Sequence, residues 1–333
     1  MVNLKVWAAA LNGMPGVDSA QWAQLDPVAR WLLACRASVL FMTLTAAMLG
    51  GLLAWRAGFF DPVLWLACAT GLLFAHASNN LLNDYTDSRR GIDRDNYYRN
   101  QYGVHVLEDG LMSEAQFWRY FAFTAGVALA LGLWLVTERS GPALALLLAG
   151  AFFVLFYTWP LKYIGLGEPS VLLVWGPLMV GGTYYIVSGQ WSNEVAWLSL
   201  VFALGPTTVL FGKHIDKLSA DHAKGVYTLP VLLGERRARQ VTMALLFAQY
   251  ALVLGLVLTQ TFAWPLLLVG ASLPSVWRTL QPLRTAKPVS RPEKYSAELW
   301  PLWFSAACLR HTRHFTPLFL AGIVLDTLLG LPA

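Results

Sequence analysis

The chain has 333 residues, of which 56% are hydrophobic and 13% charged, against about 25% charged in ordinary soluble domains. That composition excludes a water-soluble globular protein and points to one that lives in a bilayer. The net charge of +5 gathers in alternate loops between apolar stretches instead of forming one basic surface, so no nucleic-acid partner is expected.

Residues 1–30 have no basic run leading into an apolar core and no small-residue cleavage pattern, and they read as an uncleaved N-terminal cytoplasmic segment. A membrane-crossing helix needs roughly 20 mostly apolar residues. About nine such stretches follow, at 31–55, 62–84, 117–137, 143–160, 169–189, 195–212, 240–259, 262–281 and 315–331, the last interrupted by Asp326. Connections after the second, fourth, sixth and eighth stretches carry most of the lysines and arginines, whereas the others hold only Arg56 and Arg139. The positive-inside rule places the basic loops, with Lys5 and Arg30 of the N-terminal segment, in the cytoplasm. No linker divides the chain, so a single all-α membrane domain over 1–333 is expected. Cys35, Cys68 and Cys308 lie in or beside apolar stretches without metal or redox spacing, and read as buried free thiols.

The second stretch runs into "NNLLNDYTDSRRGID". On a 3.6-residue period His76, Asn80, Asn83 and Asp87 share one face with Asp84 beside them, an oxygen-rich stripe that Gly91 would end. Carboxylates at a helix C-terminus oppose the macrodipole unless a cation answers them. Arg89, Arg90 and Arg94 offer one answer; a hard divalent ion such as Mg²⁺, held by one or two carboxylates together with substrate phosphates, is the other. Asp93 and Asp95 follow within reach of the stripe.

The sixth stretch ends comparably in "FGKHIDKLSADHAKG", where Asp216 and Asp221 sit among Lys213, Lys217 and Lys224. Acids mixed with lysines suit a metal–diphosphate complex, the acids holding the metal and the lysines meeting phosphate oxygens. The expectation is that both clusters grip one diphosphate, so that it departs and leaves an allylic cation in an apolar pocket. Asp216 and Asp221 are five residues apart and diverge by roughly 140° on a regular helix. Either the helix is distorted there or Asp216 is not a direct ligand.

With these motifs the chain resembles the UbiA superfamily of intramembrane prenyltransferases from about residue 30 onward. "NDYTDSRRGID" resembles that family's first Asp-rich motif and "DHAKGVYTLPVLLG" the end of its second. "YTWPLKYIGLGEPSVLLVWGPLMVGGTYY" is similar to the 1,4-dihydroxy-2-naphthoate prenyltransferases, and "ELWPLWFSAACLRHTRHF" resembles a late segment of some members. The resemblance implies an all-α bundle of about nine transmembrane helices around a central cavity opening to the cytoplasm, in a bacterial inner membrane. It also implies Mg²⁺ as cofactor, a polyprenyl diphosphate donor, an aromatic or other small lipophilic acceptor such as a quinone precursor, and membrane lipid around the protein. Carried over by position, Asn83, Asp84, Asp87 and Asp93 match the first metal motif and Asp221 the last acid of the second; Asp216 is the second motif's other candidate ligand. Asp84, Asp87 and Asp221 are the catalytic candidates. Asn80, Asn83, Arg36, Tyr157, Lys162, Lys213 and Lys217 are candidates for binding substrate, Glu168 is a candidate cavity acid, and His76 is expected to be a packing residue. Lys217 stands where the family usually carries an acid. A terpene cyclase using the same ionisation without an acceptor is the alternative reading. A cation-coupled transporter fits poorly, since the acids lie at one membrane face.

Overall fold

The computed structural model describes residues 2–13, 15–92, 103–296 and 299–330, and among them all regular structure is helical. Asp93 and Asp95 lie outside the described residues. The chain forms two compact units, Met1–Ala47 with Pro62–Trp159, and Met48–Asp61 with Pro160–Ala333.

In the first unit α1 (Leu4–Asn12), α2 (Ser19–Gln24) and α3 (Pro27–Ala34) come before a short 3₁₀ turn and α4 (Phe41–Arg56). Asp26 organises the N-terminal segment. Its carboxylate caps α3 by accepting the Ala29 N–H at 2.9 Å, and it also accepts the Asn3 N–H at 2.7 Å and the Trp7 indole N–H at 3.1 Å. Ala29, Leu32 and Leu33 pack in one core with Ala77, Leu81 and Phe117. α5 (Pro62–Arg89) is a single helix of 28 residues, roughly 42 Å long at 1.5 Å per residue, so it carries the oxygen-rich stripe without a break. It ends where Gly91 takes a φ of 68° and the Ile92 N–H reaches back to the Asp87 carbonyl at 2.8 Å, the left-handed stop that a glycine allows. α6 (Glu114–Glu138) starts on a capping box of Ser113 and Gln116, and α6 and α7 (Pro142–Phe156) pack on α5.

The second unit takes the remainder of α4 from Met48, then a 3₁₀ turn at Leu161–Ile164, α8 (Gly167–Leu173), a π-helical stretch at Val174–Gly181 and α9 (Gly182–Ser188). Pro177 lies inside the π-helical stretch, where a missing N–H and a bulky ring disfavour the regular ladder. α10 (Asn193–Asp216), α11 (Leu218–Ala223), α12 (Leu229–Leu233) and α13 (Glu235–Leu258) follow; a 3₁₀ stretch then leads into α14 (Leu273–Arg284), and α15 (Phe304–Leu329) closes the chain. α10 is central, burying Leu198, Val201, Phe202 and Phe211 against α8, the π-helical stretch, α13 and α15. Gly212 permits a close approach of α15: a Cβ there would stand 2.7 Å from the Ser305 nitrogen.

Five helical runs among the described residues are long and apolar enough to cross a membrane: Ala37–Arg56, Glu114–Glu138, Gly167–Ser188, Asn193–Asp216 and Glu235–Leu258. The other four expected stretches take different forms. Residues 62–84 are the apolar part of the acid-ended α5, 143–160 becomes the 15-residue α7, 262–281 divides into a 3₁₀ stretch and α14, and 315–331 lies within α15. Asp326, which interrupts the last stretch, is buried at 3% exposure and answered: its oxygens meet Arg56 Nε at 2.8 Å and the Ala263 N–H at 2.7 Å. The three cysteines are free and buried.

Candidate active site

In the first unit the end of α5 is held by the turn after α3. Arg36 stands there with φ 53° and ψ 56°, a left-handed conformation that costs a non-glycine residue energy and persists only where its surroundings enforce it. The enforcement is mutual. The Asn80 amide donates to the Cys35 carbonyl at 2.9 Å, and the Arg36 guanidinium donates to the Asn80 carbonyl at 3.2 Å and pairs with Asp84 at 3.1 Å. Asp84 and Asp87 are 2% and 7% exposed, and Asn83, half-buried, lies between them and Asn80 in sequence. Arg36 Nε is buried with no hydrogen-bond partner, as is the hydroxyl of Ser38 two residues on. Unmatched buried donors are rare and costly. Here they accompany two carboxylates and one amide, a set of hard oxygen donors with positive charge beside it.

Other candidates in this unit divide between packing and the helix end. His76 Nδ1 lies 2.8 Å from the Thr43 hydroxyl, the expected packing contact. Asn79, one residue off the stripe, donates to the Val154 carbonyl on α7 at 3.0 Å. Tyr157 is half-buried at the C-cap of α7. Arg89 pairs with Glu114, and the Arg90 guanidinium lies 4.8 Å from the centre of the Trp159 ring.

In the second unit the two acids of the second motif part company. α10 stops at Asp216 and α11 begins at Leu218, so the helix is broken between the two acids. The Asp216 oxygens accept the first two N–H groups of α15, from Phe304 at 3.1 Å and Ser305 at 3.0 Å, and Lys287 Nζ stands 3.4 Å away. Lys287 also donates to the Pro301 carbonyl at 2.6 Å and to the Asp216 carbonyl at 3.3 Å. Burial lowers the Lys287 ammonium from its ordinary value, and Asp216 opposes that shift. Burial and the charge of Asp216 push the Tyr295 hydroxyl up to about 12, and it donates to the Leu302 carbonyl at 2.6 Å. Asp221, 4% exposed, instead meets Lys217 at 3.3 Å. Lys213 is half-buried, and Lys162 is buried with its ammonium 5.5 Å from the Tyr163 ring centroid.

A buried pair accompanies this cluster. Glu168, opening α8, lies 2.6 Å from His214 Nδ1 and accepts the Leu229 N–H at 3.4 Å. The sequence marks Glu168 as a candidate acid without giving it a partner, because 46 residues separate the two. Lys287 carries no signal of its own in the sequence; it sits in a proline-containing basic loop, "TAKPV", where nothing indicates that it is drawn inward. Among the described residues no three His, Cys, Asp or Glu side chains converge on one point as a closed metal cage.

The family model described as "UbiA prenyltransferase family" matches residues 42–306. Among known relatives, UbiA prenyltransferase domain-containing protein 1 of Gallus gallus is 30% identical over 291 residues, covering 81% of this chain and 86% of that protein. The 1,4-dihydroxy-2-naphthoate octaprenyltransferase of Escherichia coli K12 is 28% identical over 232 residues, covering 67% and 74%. Similar folds occur in a solved digeranylgeranylglyceryl phosphate synthase, with a TM-score of 0.60, 17% identity and coverage of 90% and 98%. They occur also in a UbiA homolog from Archaeoglobus fulgidus bound to GPP and Mg²⁺, with a TM-score of 0.58, 15% identity and coverage of 89% and 99%. The match to the family spans well over half the chain, and with its long apolar helices and buried acidic helix end the protein belongs to the UbiA prenyltransferase family: it is an integral membrane prenyltransferase.

Proposed function

We propose that the protein transfers a prenyl group from a prenyl diphosphate to an aromatic acceptor, with Mg²⁺ as its cofactor, at the cytoplasmic face to which its basic loops point. The observation that carries this reading is the Arg36 turn: a strained arginine paired with the buried Asp84, with a buried Nε donor left unused. A diphosphate oxygen is the partner that would satisfy that donor. The aromatic acceptor rests on the similarity to the E. coli octaprenyltransferase, and the donor and ion on the archaeal homolog bound to GPP and Mg²⁺.

The donor chemistry fits Mg²⁺, which prefers oxygen, keeps several waters and needs only one or two carboxylates when phosphates complete its shell. Asn83, Asp84 and Asp87 are the residues assigned to it, and Asp221 and Asp93, the latter outside the described residues, are further acids by resemblance. When bound, Mg²⁺ supplies Lewis-acid stabilisation of the departing diphosphate. Arg36 binds a phosphate oxygen and, through Asp84, fixes the orientation of the carboxylate stripe. Lys162, Lys213 and Lys217 are the residues for neutralising charge that grows on the leaving group, and Tyr157 and Asn80 are candidates for binding substrate; water must be kept from the allylic cation, which it would otherwise capture. The electron-rich carbon of the acceptor bonds to that cation, and the ring proton it displaces passes to the released diphosphate, which restores aromaticity. Asp216 stands outside this chemistry. With both oxygens on backbone N–H groups, it holds the end of α10 in place.

The test is incubation of purified protein with Mg²⁺, a panel of prenyl diphosphates and aromatic acceptors, with products identified by mass. Prenylated acceptor is expected, and EDTA is expected to abolish it. Activity that survives EDTA would remove the metal assignment. A cyclised hydrocarbon formed equally with and without acceptor would replace transfer by cyclisation.

A further inference from the structure

The outer face of α14 has a chemistry that prenyl transfer does not use. Ser275, Val276, Thr279, Leu280 and Leu283 turn inward and are buried. Leu273, Trp277 and, from α13, Phe247 stand more than half exposed and line a groove of about 610 Å³ together with Arg278 and Arg284. Exposed apolar side chains are ordinary on a lipid-facing surface; two arginines set among them are not. The Arg284 guanidinium lies 5.0 Å from the centre of the Trp277 ring. Among the described residues Arg278 makes no hydrogen bond or ion pair, and no Asp or Glu lines the groove.

An arginine on a membrane-facing helix is costly unless its charge reaches an anionic group, and a long side chain near a helix end can snorkel to the headgroup layer to find one. Both arginines lie in the last two turns of α14, and Arg291 and Lys294 follow in the same loop. This is the sequence pattern that draws anionic lipids to one leaflet. The groove is within the roughly 300–1,000 Å³ of small-molecule pockets, and its walls are apolar while its charge is of one sign.

We propose that this groove is a binding site for one anionic phospholipid, with an acyl chain along Phe247, Leu273 and Val276 and the phosphate held by Arg278 and Arg284. The indole of Trp277 marks the border between the two, where amphipathic rings settle. Neither arginine belongs to the catalytic cluster, so the site stands or falls apart from the transferase assignment.

Native mass spectrometry of the full chain in a mild detergent, with equal amounts of dioleoyl phosphatidylglycerol and dioleoyl phosphatidylcholine, tests it. The wild type is expected to retain a single phosphatidylglycerol with about thirtyfold preference, the scale set by two charge contacts at a membrane surface. Arg278→Gln combined with Arg284→Gln should abolish the preference while turnover in phosphatidylcholine nanodiscs stays unchanged, which also reports that the variant is folded. Leu273→Trp, which fills the groove but keeps both arginines, should lower retention of phosphatidylglycerol as well. Equal retention of the two lipids by the wild type would overturn the proposal. So would an undiminished phosphatidylglycerol adduct in either variant, or a protein dimer in place of the lipid adduct.

Discussion

At the end of α5, Asp84 is met by an arginine that keeps a buried nitrogen without a partner, whereas at the end of α10 both oxygens of Asp216 are taken up by the N–H groups of Phe304 and Ser305. Both helices face the same electrostatic problem, since a carboxylate at a helix C-terminus adds to the negative end of the dipole. α5 answers with a side chain from a strained turn, and the answer leaves hydrogen-bonding capacity to spare. α10 answers by capping another helix, whose first N–H groups need acceptors in any case, and Lys287 completes the neutralisation. Two acidic helix ends that look alike in the sequence are therefore answered differently. The first keeps an unmatched donor beside Asp84; in the second Asp216 is met by backbone N–H groups and Asp221 by Lys217.

This contrast can be broken by mutation. Asp87→Ala is expected to have the largest effect, a loss of about 10³-fold in turnover, near 4 kcal/mol of barrier, with little change in melting temperature. Turnover close to wild type would remove α5 from the chemistry. Arg36→Lys keeps the charge but not the forked geometry. Its kcat/KM for the diphosphate should fall about 10²-fold, a scale typical of a lost transition-state donor, and full activity would show that the unused Nε has no role.

The sharper comparison sets Asp221→Asn against Asp216→Asn. The first should lower turnover and weaken the dependence on Mg²⁺ while the protein melts normally. The second should lower stability by about 2 kcal/mol, the scale for an imperfectly satisfied buried group, while activity per folded molecule stays near wild type. If the two variants exchange phenotypes, the roles assigned to them are reversed.

The smallest effect concerns Asp26. Burial acts to raise its carboxyl, but hydrogen bonds from Ala29, Asn3 and Trp7 outweigh burial and leave it below the ordinary aspartate value. A depressed folded pKa stabilises above the unfolded pKa and is lost as pH falls through the folded one. Asp26→Asn should therefore flatten the acid limb of the melting-temperature profile below about pH 4, leaving the neutral region slightly lowered by loss of the charge and of one of the two acceptor oxygens. An unaltered acid limb would remove Asp26 from the pH response.

What can be read locally was legible in the sequence. The apolar stretches set the helices, and the spacing of Asn80, Asn83, Asp84 and Asp87 placed them on the last turns of one helix, with Gly91 as its stop. Such features depend on neighbours three or four residues away, so side-chain period and backbone preference suffice. The break between Asp216 and Asp221 was half legible: the five-residue spacing required either a distorted helix or an acid that is not a direct ligand, and the helix is broken there, with Asp216 on the N–H groups of Phe304 and Ser305.

What only the tertiary structure decided is which charge answers which. Arg56 meets Asp326 across 270 residues, Phe304 meets Asp216 across 88, and His214 meets Glu168 across 46. A buried carboxylate needs a donor or a cation nearby, but the sequence states only that need, and many residues along the chain offer to fill it. Packing brings one of them within reach. Thus the composition and its periodicity determined that this is a helical membrane protein with acids at its helix ends, and the fold determined which donors and cations answer those acids.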